Sequence, residues 1–460
     1  MIPGKQQNDL VLASDDYALL RDALLTPDQH ENFAVLFAGK AATERSKRYL
    51  VRSVWPAPSD AYRQRLTYHL EIAPAFLNDV VNRALSLGLH PIIVHSHPGG
   101  KSATYSPSDD FGESRLLPVL QDLLPGLDVG SALLTRTDLV ARRREGNQFV
   151  DFSSVLVRGR QSVSFHRHHS ENLQSFDAWD RQVRAIGASG QDTLRSLNVG
   201  VVGLGGTGSV VVEQLARMGL ENFVLVDPDR FEESNLSRLS GSRASDLRAL
   251  PLKTAIAKRN VIAISPRARV VNVASSATSQ KVLRRLRDTD LVFCCTDNHL
   301  SRALLNRFAH QYLVPVVDMG IRLDARSGRV SAGGGRVSIV GPGATCLRCS
   351  HHIDADRIRA ETMSEQERAE LVREGYIQGL EQNAPAVASL NGTVASLAVT
   401  AGLSMFVNLT GSPPPIGQIY DVNSGAVFPI SAVHEDVCDV CSPKLGSKAL
   451  GDSRPVSPYD

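Results

Sequence analysis

The sequence predicts an α/β protein of two domains, the second of which contains a parallel, doubly wound sheet. The chain has 460 residues, more than one hydrophobic core usually serves. Apolar strands alternate with helical segments from about residue 195 onwards. Between the halves lies a polar, basic segment without hydrophobic periodicity, which is typical of a linker. We therefore expect domains at residues 1–156 and 176–445, a linker at 157–175 and a disordered tail at 446–460.

The N-terminal domain mixes the patterns of helices and strands. Helices are expected at residues 16–26 and 72–87, and strands at 33–39, 49–55 and 91–94. This mixture favours an α/β domain, and its last strand leads directly into His95.

The C-terminal domain alternates more regularly. Strands are expected at residues 198–202, 223–226, 268–273, 291–294 and 314–317, with helices between them. Strands that alternate with helices form parallel sheets covered on both faces, as in Rossmann-like folds.

Composition argues against several classes of partner. The 50 basic and 48 acidic residues give a formal charge of +2, which does not indicate nucleic acid or an anionic membrane. No apolar run reaches the roughly 18 residues of a membrane span, and the first ten residues lack the pattern of a secretory signal. We expect a cytoplasmic protein.

Four of the six cysteines form two CxxC pairs, Cys346 with Cys349 and Cys438 with Cys441. In a cytoplasmic chain this pattern indicates a metal rather than disulfides. Four thiolates make a closed, tetrahedral structural zinc site. The other two, Cys294 and Cys295, end an apolar strand and are interpreted as core residues.

A second metal pattern lies in the N-terminal domain, where His95-Ser-His97-Pro is followed by Ser106-Pro-Ser-Asp109. Two histidines at positions i and i+2 of a strand end lie on the same side. With Asp109 they form a three-ligand zinc site that leaves the fourth position to water, as amide hydrolysis requires. The alternative interpretation is a polar strand end followed by a helix N-cap at Ser106.

This pattern resembles the JAMM (JAB/MPN) metalloprotease family over roughly residues 10–155. The resemblance implies zinc ligands His95, His97 and Asp109, general base Glu31, and Ser106 as a stabiliser of the oxyanion. Glu31 directly precedes an apolar strand, whereas the other upstream candidate, Glu44, lies in a polar stretch. The gap between His97 and Ser106 is one residue longer than usual. A domain kept only for binding is the alternative to an active protease.

A glycine-rich turn opens the C-terminal domain, with Gly203, Gly205, Gly206 and Gly208 between a strand and a helix. Such turns let the backbone approach phosphates at a helix N-terminus, and Asp227 after the next strand is placed to hold ribose hydroxyls. These residues alone also fit a nicotinamide dehydrogenase. Downstream, Arg238 and Lys253 can offset phosphate charge and Asp297 can hold Mg²⁺, which favours a reaction at a nucleotide phosphate.

The ordered set resembles the ubiquitin-activating superfamily, including ThiF-, MoeB- and HesA-like bacterial enzymes that adenylate sulfur-carrier proteins, from about residue 176 to residue 443. The motifs are Arg181-Gln182, Asp227-Pro-Asp229, Asn235-Leu-Ser-Arg238, Lys253, Asp297-Asn298 and the paired CxxC. The resemblance implies ATP and Mg²⁺, with Asp227, Asp229 and Asn235 at the nucleotide, Arg238 and Lys253 at the phosphates, and Asp297 at the metal. It also implies a homodimer in which Arg181 reaches the partner's ATP. The family pattern NLxRQ reads NLSRL here.

The segment from 350 to 383, where many activating enzymes carry a cysteine nucleophile, contains none. A standard thioester is therefore not expected. The adenylate would pass directly to an acceptor, or an oxyester would form on Thr362, Ser364 or Ser389.

The expected function is bifunctional: adenylation of a ubiquitin-like protein that ends in glycine, and zinc-dependent cleavage of its precursor or conjugates. A conjugating-enzyme homologue is the expected further partner. Sulfur-carrier metabolism and a non-catalytic scaffold are the alternatives.

Overall fold

The computed structural model describes the chain as two compact units. The described residues are 7–43, 46–67, 69–166, 177–326, 329–364, 366–367, 373, 385–432, 434–435, 437–442 and 446–457. Unit 1 comprises residues 1–173, 311–313 and 448–455, and unit 2 comprises 174–310, 314–447 and 456–460. Within the described ranges, no helix combines the length and apolarity needed to cross a bilayer.

Unit 1 contains a mixed nine-stranded sheet. Its strands are β1 (Gln7–Ala13), β2 (Phe33–Ala42), β3 (Ser46–Pro56), β6 (His90–Ser96), β7 (Gly130–Leu134), β8 (Leu139–Glu145), β9 (Gln148–Asp151), β10 (Ser154–Arg158) and β11 (Val163–His166), in the order β11-β10-β1-β3-β2-β6-β7-β8-β9. A hairpin of β4 (Tyr62–Arg65) and β5 (Leu70–Ile72) stands apart from this sheet. The helices are α1 (Ser14–Leu24), α2 (Pro74–Leu87) and α3 (Pro107–Leu123).

The central strand β2 explains why this sheet is stable. Its side chains alternate between two buried clusters: Leu36 packs on one face and Phe37 on the other. Burying each of these side chains contributes roughly 2 kcal/mol. Strand β2 pairs antiparallel with β6 in a register that sets Phe33 opposite His95. The residues before β2 therefore lie beside the end of β6.

Two boundary predictions need correction in unit 1. Residues 163–166 of the expected linker form β11, because they pair antiparallel with β10; residues 167–176 lie outside the described residues. The tail is not disordered over 446–457. Lys448 pairs with the buried Asp16 at 2.6 Å, and residues 451–453 form a short 3₁₀ helix.

Glycine makes the approach of this terminal segment possible. A β-carbon on Gly39 of β2 would collide with the carbonyl oxygen of Ala449, and one on Gly451 would collide with the carbonyl oxygen of Lys40. Two backbones without side chains at these points can lie in contact. Composition at 446–460 did not indicate this, since the partners of the segment lie between 140 and 432 residues away along the chain.

Unit 2 contains an eight-stranded sheet. Its strands are β12 (Asn198–Val202), β13 (Asn222–Val226), β14 (Arg269–Val273), β15 (Leu291–Cys294), β16 (Val316–Arg326), β17 (Arg329–Val340), β18 (Gly417–Asp421) and β19 (Val427–Ile430), in the order β14-β13-β12-β15-β16-β17-β18-β19. The helices are α4 (Asp180–Ser196), α5 (Gly206–Arg217), α6 (Asp246–Ala249), α7 (Lys253–Ile264), α8 (Gln280–Leu286), α9 (His299–Tyr312), α10 (Ala355–Thr362) and α11 (Ala388–Ser404).

The predicted parallel sheet is confirmed for β12 to β16, whose pairings are all parallel. Strands β17 to β19 extend it antiparallel and were not predicted. The chain runs from β12 to β13 on one side and returns to β15 on the other side of β12. In open α/β sheets, such a reversal marks the crevice at the carboxyl ends of the strands where ligands bind.

Candidate active sites

The glycine turn of unit 2 lies at this crevice, between β12 and α5. Gly203 has φ of +88°, and a β-carbon there would lie 2.8 Å from the carbonyl oxygen of Cys295. A β-carbon on Gly208 would collide with the carbonyl oxygen of Gly203. Gly205 is the N-cap of α5 and offers no side chain to the first N–H groups of the helix. These N–H groups are available to an anionic ligand.

Asp227, at the end of β13, holds this turn in place. Its Oδ2 accepts a hydrogen bond from the backbone N–H of Leu204 at 2.7 Å, and its Oδ1 accepts one from Asp229 at 2.8 Å. Burial raises the pKa of Asp227 above its ordinary value, although these bonds and Lys253 oppose the rise. Both oxygens of Asp227 are thus occupied by backbone N–H groups. Asp229, which is exposed, is the acid of this pair that has an oxygen open to solvent.

Lys253 begins α7 and faces both acids. Its Nζ lies 2.7 Å from Oδ2 of Asp229 and 4.0 Å from Oδ1 of Asp227, and its backbone N–H donates to the carbonyl of Asp229. The side chain is only 13% exposed, so its charge is held at the crevice by the fold.

Arg238 is placed by a short 3₁₀ helix, Glu233–Asn235. The buried Asn235 accepts a hydrogen bond from the N–H of Glu232 at 3.2 Å and so closes this turn. Arg238 donates through Nη1 to the carbonyl of Ser234, and its Cδ lies 3.3 Å from where a β-carbon on Gly206 would be. The structure thus brings Arg238 to the glycine turn.

Asp297 and Arg181 differ in what surrounds them. Asp297 is exposed in the loop after β15, and this loop contacts Gly203 through Cys295 and Thr296. Arg181 is exposed on α4, and its side chain makes no hydrogen bond or ion pair with any residue that the structure describes. Its neighbour Gln182 anchors the helix, donating to Gln191 at 2.7 Å and to the carbonyl of Met218 at 2.9 Å.

Sequence reasoning missed two residues at this crevice. Asn391 of α11 is buried, and its Nδ2 would collide with a β-carbon on Gly206. Glu361 of α10 accepts hydrogen bonds from the N–H groups of His299 and Leu300, at 3.0 and 2.8 Å, at the start of α9. An asparagine among the small apolar residues of α11 was the available signal for Asn391. Glu361 gave none.

The thiols near the crevice are poor nucleophiles. Cys294 is 1% exposed, which confirms its interpretation as a core residue, and burial raises its pKa to about 12. Cys295 is partly buried, and burial raises its pKa well above the ordinary value. Neither thiol is ionised at neutral pH.

The hydroxyls considered for an oxyester are exposed, and two of them have local partners. Thr362 donates to the carbonyl of Arg359 at 2.8 Å. Ser364 donates to Glu367 at 2.7 Å, and this bond lowers the pKa of Glu367, which makes it a weaker base. Ser389 lies exposed in α11.

The four paired cysteines come together in unit 2. The Sγ atoms of Cys346 and Cys438 are 3.9 Å apart, and those of Cys349 and Cys441 are 3.4 Å apart, without disulfides. Tetrahedral zinc with bonds of about 2.3 Å places sulfurs roughly 3.8 Å apart. Asn306 donates to the sulfur of Cys346 and accepts from the backbone at residue 347, which fixes one thiol. The donor set fits a closed zinc site.

The three residues of the N-terminal pattern also converge. The Nε2 of His95 lies 3.2 Å from Oδ1 of Asp109, and the Nε2 of His97 lies 3.5 Å from Oδ2. Nitrogen and oxygen ligands of tetrahedral zinc are roughly 3.3 Å apart, so the set fits the metal. Burial alone would raise the pKa of Asp109, but the two histidines that face its carboxylate outweigh burial and hold the pKa well below its usual range.

Ser106 can cap helix α3 while Asp109 acts as a metal ligand, so the two interpretations are compatible. Ser106 is the N-cap of α3, and its Oγ accepts a hydrogen bond from the N–H of Asp109 at 3.2 Å. Oδ2 of Asp109 accepts in return from the N–H of Ser106 at 2.6 Å. This capping box fixes the carboxylate that faces the histidines.

Glu31 lies at the same place. Its Oε1 is 3.6 Å from Nε2 of His97, and burial raises its pKa above the ordinary value. The strand pairing of β2 with β6 brings it there. Glu44 lies outside the described residues.

Sequence reasoning missed a buried charged network behind this site. Arg142 donates through Nε to Glu113 at 2.8 Å, and Ser131 donates to the same oxygen at 2.6 Å. The guanidinium of Arg142 lies 3.7 Å from the ring centre of Tyr105 and 4.2 Å from that of Phe149. Tyr105 directly precedes Ser106, so this network supports the start of α3. No sequence motif marked these residues, because their partners come from α3, β7, β8 and β9.

The second half of the chain is similar to known proteins. The model of the ThiF family matches residues 179–436. A sulfur carrier protein adenylyltransferase of Thermus thermophilus is 34% identical over 135 residues, which are 29% of this chain and 49% of the relative. A ubiquitin-like modifier-activating enzyme 5 of Aedes aegypti is 27% identical over 172 residues, 35% of this chain and 41% of the relative.

A solved structure of the E. coli protein MccB with ATP shares 18% identity, with a TM-score of 0.46, over 58% of this chain and 75% of that chain. The matched region spans between 35% and 66% of the length of the curated relatives compared.

Proposed function

The chain belongs to the ThiF family, and from this membership we propose that unit 2 adenylates the C-terminal carboxylate of a ubiquitin-like or sulfur-carrier protein. A carboxylate oxygen attacks the α-phosphorus of ATP, the bond from that phosphorus to the bridging oxygen breaks, and pyrophosphate leaves. The observation that carries the proposal is the convergence of the glycine turn, Arg238 and Lys253 at the reversal point of the sheet.

The residues of the crevice divide this work. The free N–H groups at the start of α5 bind phosphate oxygens, while Lys253 and Arg238 offset the negative charge that develops on them. Lys253 must leave its ion pair with Asp229 to do so, and the freed Asp229 can then accept from ribose. Mg²⁺, when bound at Asp297, would neutralise further phosphate charge.

ATP–pyrophosphate exchange tests this assignment. With a ubiquitin-like protein that ends in glycine, Lys253→Ala should lower exchange about 100-fold or more, because the lost cation stabilises charge in the transition state. Lys258→Ala is the matched control, since Lys258 is exposed on the same helix. Exchange that survives in Lys253→Ala, in a protein with unchanged Tm, would contradict the role.

We propose further that Arg181 completes the site of a second subunit in a homodimer. Its exposure, without a partner among the described residues of its own chain, supports this. Arg181→Ala and Lys253→Ala should each be inactive alone. Mixed after reversible dissociation, they should recover roughly a quarter of wild-type exchange, because half of the dimers are mixed and each has one intact site. No recovery in proven mixed dimers would exclude the role.

The adenylate is proposed to pass directly to an external acceptor, such as a sulfur donor or a conjugating-enzyme homologue. The raised pKa values of Cys294 and Cys295 support this step. A hydroxylamine-sensitive adduct that disappears in Thr362→Ala, Ser364→Ala or Ser389→Ala would instead support the oxyester.

For unit 1 we propose zinc-dependent hydrolysis of a peptide or isopeptide bond that follows the glycine end of the same kind of protein. The observation that carries it is the placement of Glu31 beside three converging donors, His95, His97 and Asp109. Zinc, when bound, would polarise the carbonyl and acidify the attacking water. Glu31 accepts a proton from that water, and the hydroxyl of Ser106 donates to the developing oxyanion.

Cleavage of a ubiquitin-like precursor tests this second activity. Glu31→Gln should lower the rate at least about 100-fold while zinc stays bound, because the general base is lost and the ligands remain. Glu71→Gln, an exposed acid on β5, is the control. A zinc-loaded wild type that cleaves neither precursor nor conjugate would support the alternative, a domain kept for binding.

A further inference from the structure

A pocket of about 630 Å³ opens directly beside the candidate zinc site of unit 1. Its lining residues are Gln29, Pro98, Gly99, Gly100, Lys101, Arg136 and Thr137. Its lining begins at Pro98, the residue after His97, and includes Gln29, two residues before Glu31.

The walls of the pocket are fixed by hydrogen bonds between two loops. Arg136 donates through Nε to the carbonyl of Pro98 at 3.0 Å, and Thr137 donates to the carbonyl of Lys101 at 2.7 Å. The N–H of Gly100 donates to the carbonyl of His97 at 3.0 Å. These hydrogen bonds join the loop of the candidate ligand His97 to the loop of Arg136, so the two loops form one continuous surface.

The charge of the pocket is one-sided. Lys101 and Arg136 are exposed and form no ion pair with a described residue, and no lining residue is acidic. Two carboxylates adjoin the lining residues along the chain, and both have other partners: Asp138 accepts from the N–H groups of Ala103 and Leu139, at 3.1 and 2.9 Å, and Asp28 pairs with Arg65 at 2.9 Å. Two cations without a carboxylate partner on fixed loops favour an anionic ligand.

We propose that this pocket binds a carboxylate that the substrate carries on the leaving-amine side of the scissile bond. The inference rests on the hydrolysis proposed for unit 1. The acyl side of that substrate ends in glycine and has no side chain to occupy a pocket. Hydrolysis adds water across the C–N bond, so the amine that leaves takes a proton, and the residues attached to it lie in the pocket.

The substrate can supply this carboxylate in two ways: as the side chain of an acidic residue, or as the free α-carboxylate of a short precursor extension. Both place a carboxylate within a few residues of the bond. A substrate of this kind differs from an isopeptide conjugate, in which the leaving amine is a lysine side chain of a folded target. The pocket thus favours precursor processing over deconjugation.

Fluorescence anisotropy with three peptides on the zinc-loaded, full-length protein tests the proposal. Each peptide has a labelled Gly-Gly segment followed by three residues: acidic with an amidated end, neutral with a free carboxylate, or neutral with an amidated end. At least one carboxylate peptide should bind more tightly than the uncharged one, and Arg136→Gln and Lys101→Gln should each weaken it about 3- to 10-fold. Arg115→Gln, which removes an exposed charge on α3, should not.

The peptide whose binding the two variants weaken identifies the source of the carboxylate: the acidic, amidated peptide indicates a side chain, and the neutral peptide with a free end indicates an α-carboxylate. The variant Arg136→Glu should instead prefer a lysine-containing peptide. Equal binding of all three peptides, or an equal loss in Arg115→Gln, would overturn the proposal. Cleavage of the same peptides separates it from the proposed function. A binding preference without any cleavage refutes hydrolysis alone, whereas cleavage without a preference refutes the pocket alone.

Discussion

The two candidate metal sites differ in the number and chemistry of their donors and in the groups that lie beside them. The cluster of four cysteines in unit 2 consists of four like donors, three of them buried. The triad of His95, His97 and Asp109 in unit 1 has donors of two kinds, two imidazoles and one carboxylate, and the carboxylate of Glu31 lies 3.6 Å from His97. A closed set of four holds the fold, whereas a set of three leaves a position for chemistry.

The supports of the two groups differ as well. The cysteines lie on two loops nearly 90 residues apart in sequence, which are joined by the cluster and by ion pairs of Asp439 with Arg307 and Arg348. Asn306 is a further neighbour of the cluster. The triad is built on β6 and the capped start of α3, and the strands beneath it are packed on both faces. We therefore expect unit 2 to depend on its metal for stability and unit 1 not to.

Cys438→Ser should produce the largest effect. It removes one of four ligands, and structural zinc contributes about 10–16 kcal/mol of binding free energy that is coupled to folding. Calorimetry should show the transition of unit 2 lost or shifted by many degrees, with that of unit 1 unchanged. If both transitions stay in place although zinc content falls by one ion, the cluster is not structural.

Arg142→Met should come second, and it tests whether unit 1 relies on its own buried charges. Glu113 would be left buried without its partner, which costs about 3–5 kcal/mol. Calorimetry should show the loss in unit 1 only. The double variant Glu113→Gln with Arg142→Met should recover part of it, because the uncompensated charge is gone. Equal loss in both variants would show that packing on Tyr105, not charge, is what matters.

Gly39→Ala should have the third largest effect, about 1–3 kcal/mol, because the methyl group would collide with the backbone at Ala449. The terminal segment 448–455 would be displaced from β2. Limited proteolysis should cut at 446–457 faster than in the wild type. Gly88→Ala is the control for strain without a collision, since Gly88 has φ of +62° and nothing within 4 Å.

His95→Ala should have the smallest effect on stability, below about 1 kcal/mol without added zinc, since only a partly polar contact is lost. Zinc content should fall by one ion and cleavage should disappear. If unit 1 unfolds in this variant, then unit 1 depends on its metal ligands for stability as unit 2 is expected to, and the two sites do not differ in this respect.

The sequence predicted the parts of this molecule whose signals are local. Strands β12, β13 and β15 and the glycine turn were predicted because apolar runs, glycines and the alternation with helices are read within a few residues. The candidate ligands of both groups were predicted because the spacing within each motif is a local pattern. Antiparallel β17 to β19 were missed, since nothing local distinguishes strands that pair only with the sheet edge.

What was missed depends on contacts between distant residues. Arg142 and Glu113 are 29 residues apart, and Lys448 and Asp16 are 432 residues apart. Asp227 was predicted near ribose, and the sequence does not express that its carboxylate also accepts from the backbone N–H groups of Leu204 and Asp229. Burial decides these cases, and it is known only after folding.

Titration of the zinc-loaded protein with a chelator, with exchange and cleavage measured in the same samples, tests the account most directly. We predict that the first zinc to leave abolishes cleavage while exchange and the Tm of unit 2 stay unchanged, and that the second zinc leaves only as unit 2 unfolds. Loss of exchange and cleavage together with the first zinc, or cleavage that persists without it, would contradict the assignment of an open catalytic site to unit 1 and a closed structural one to unit 2.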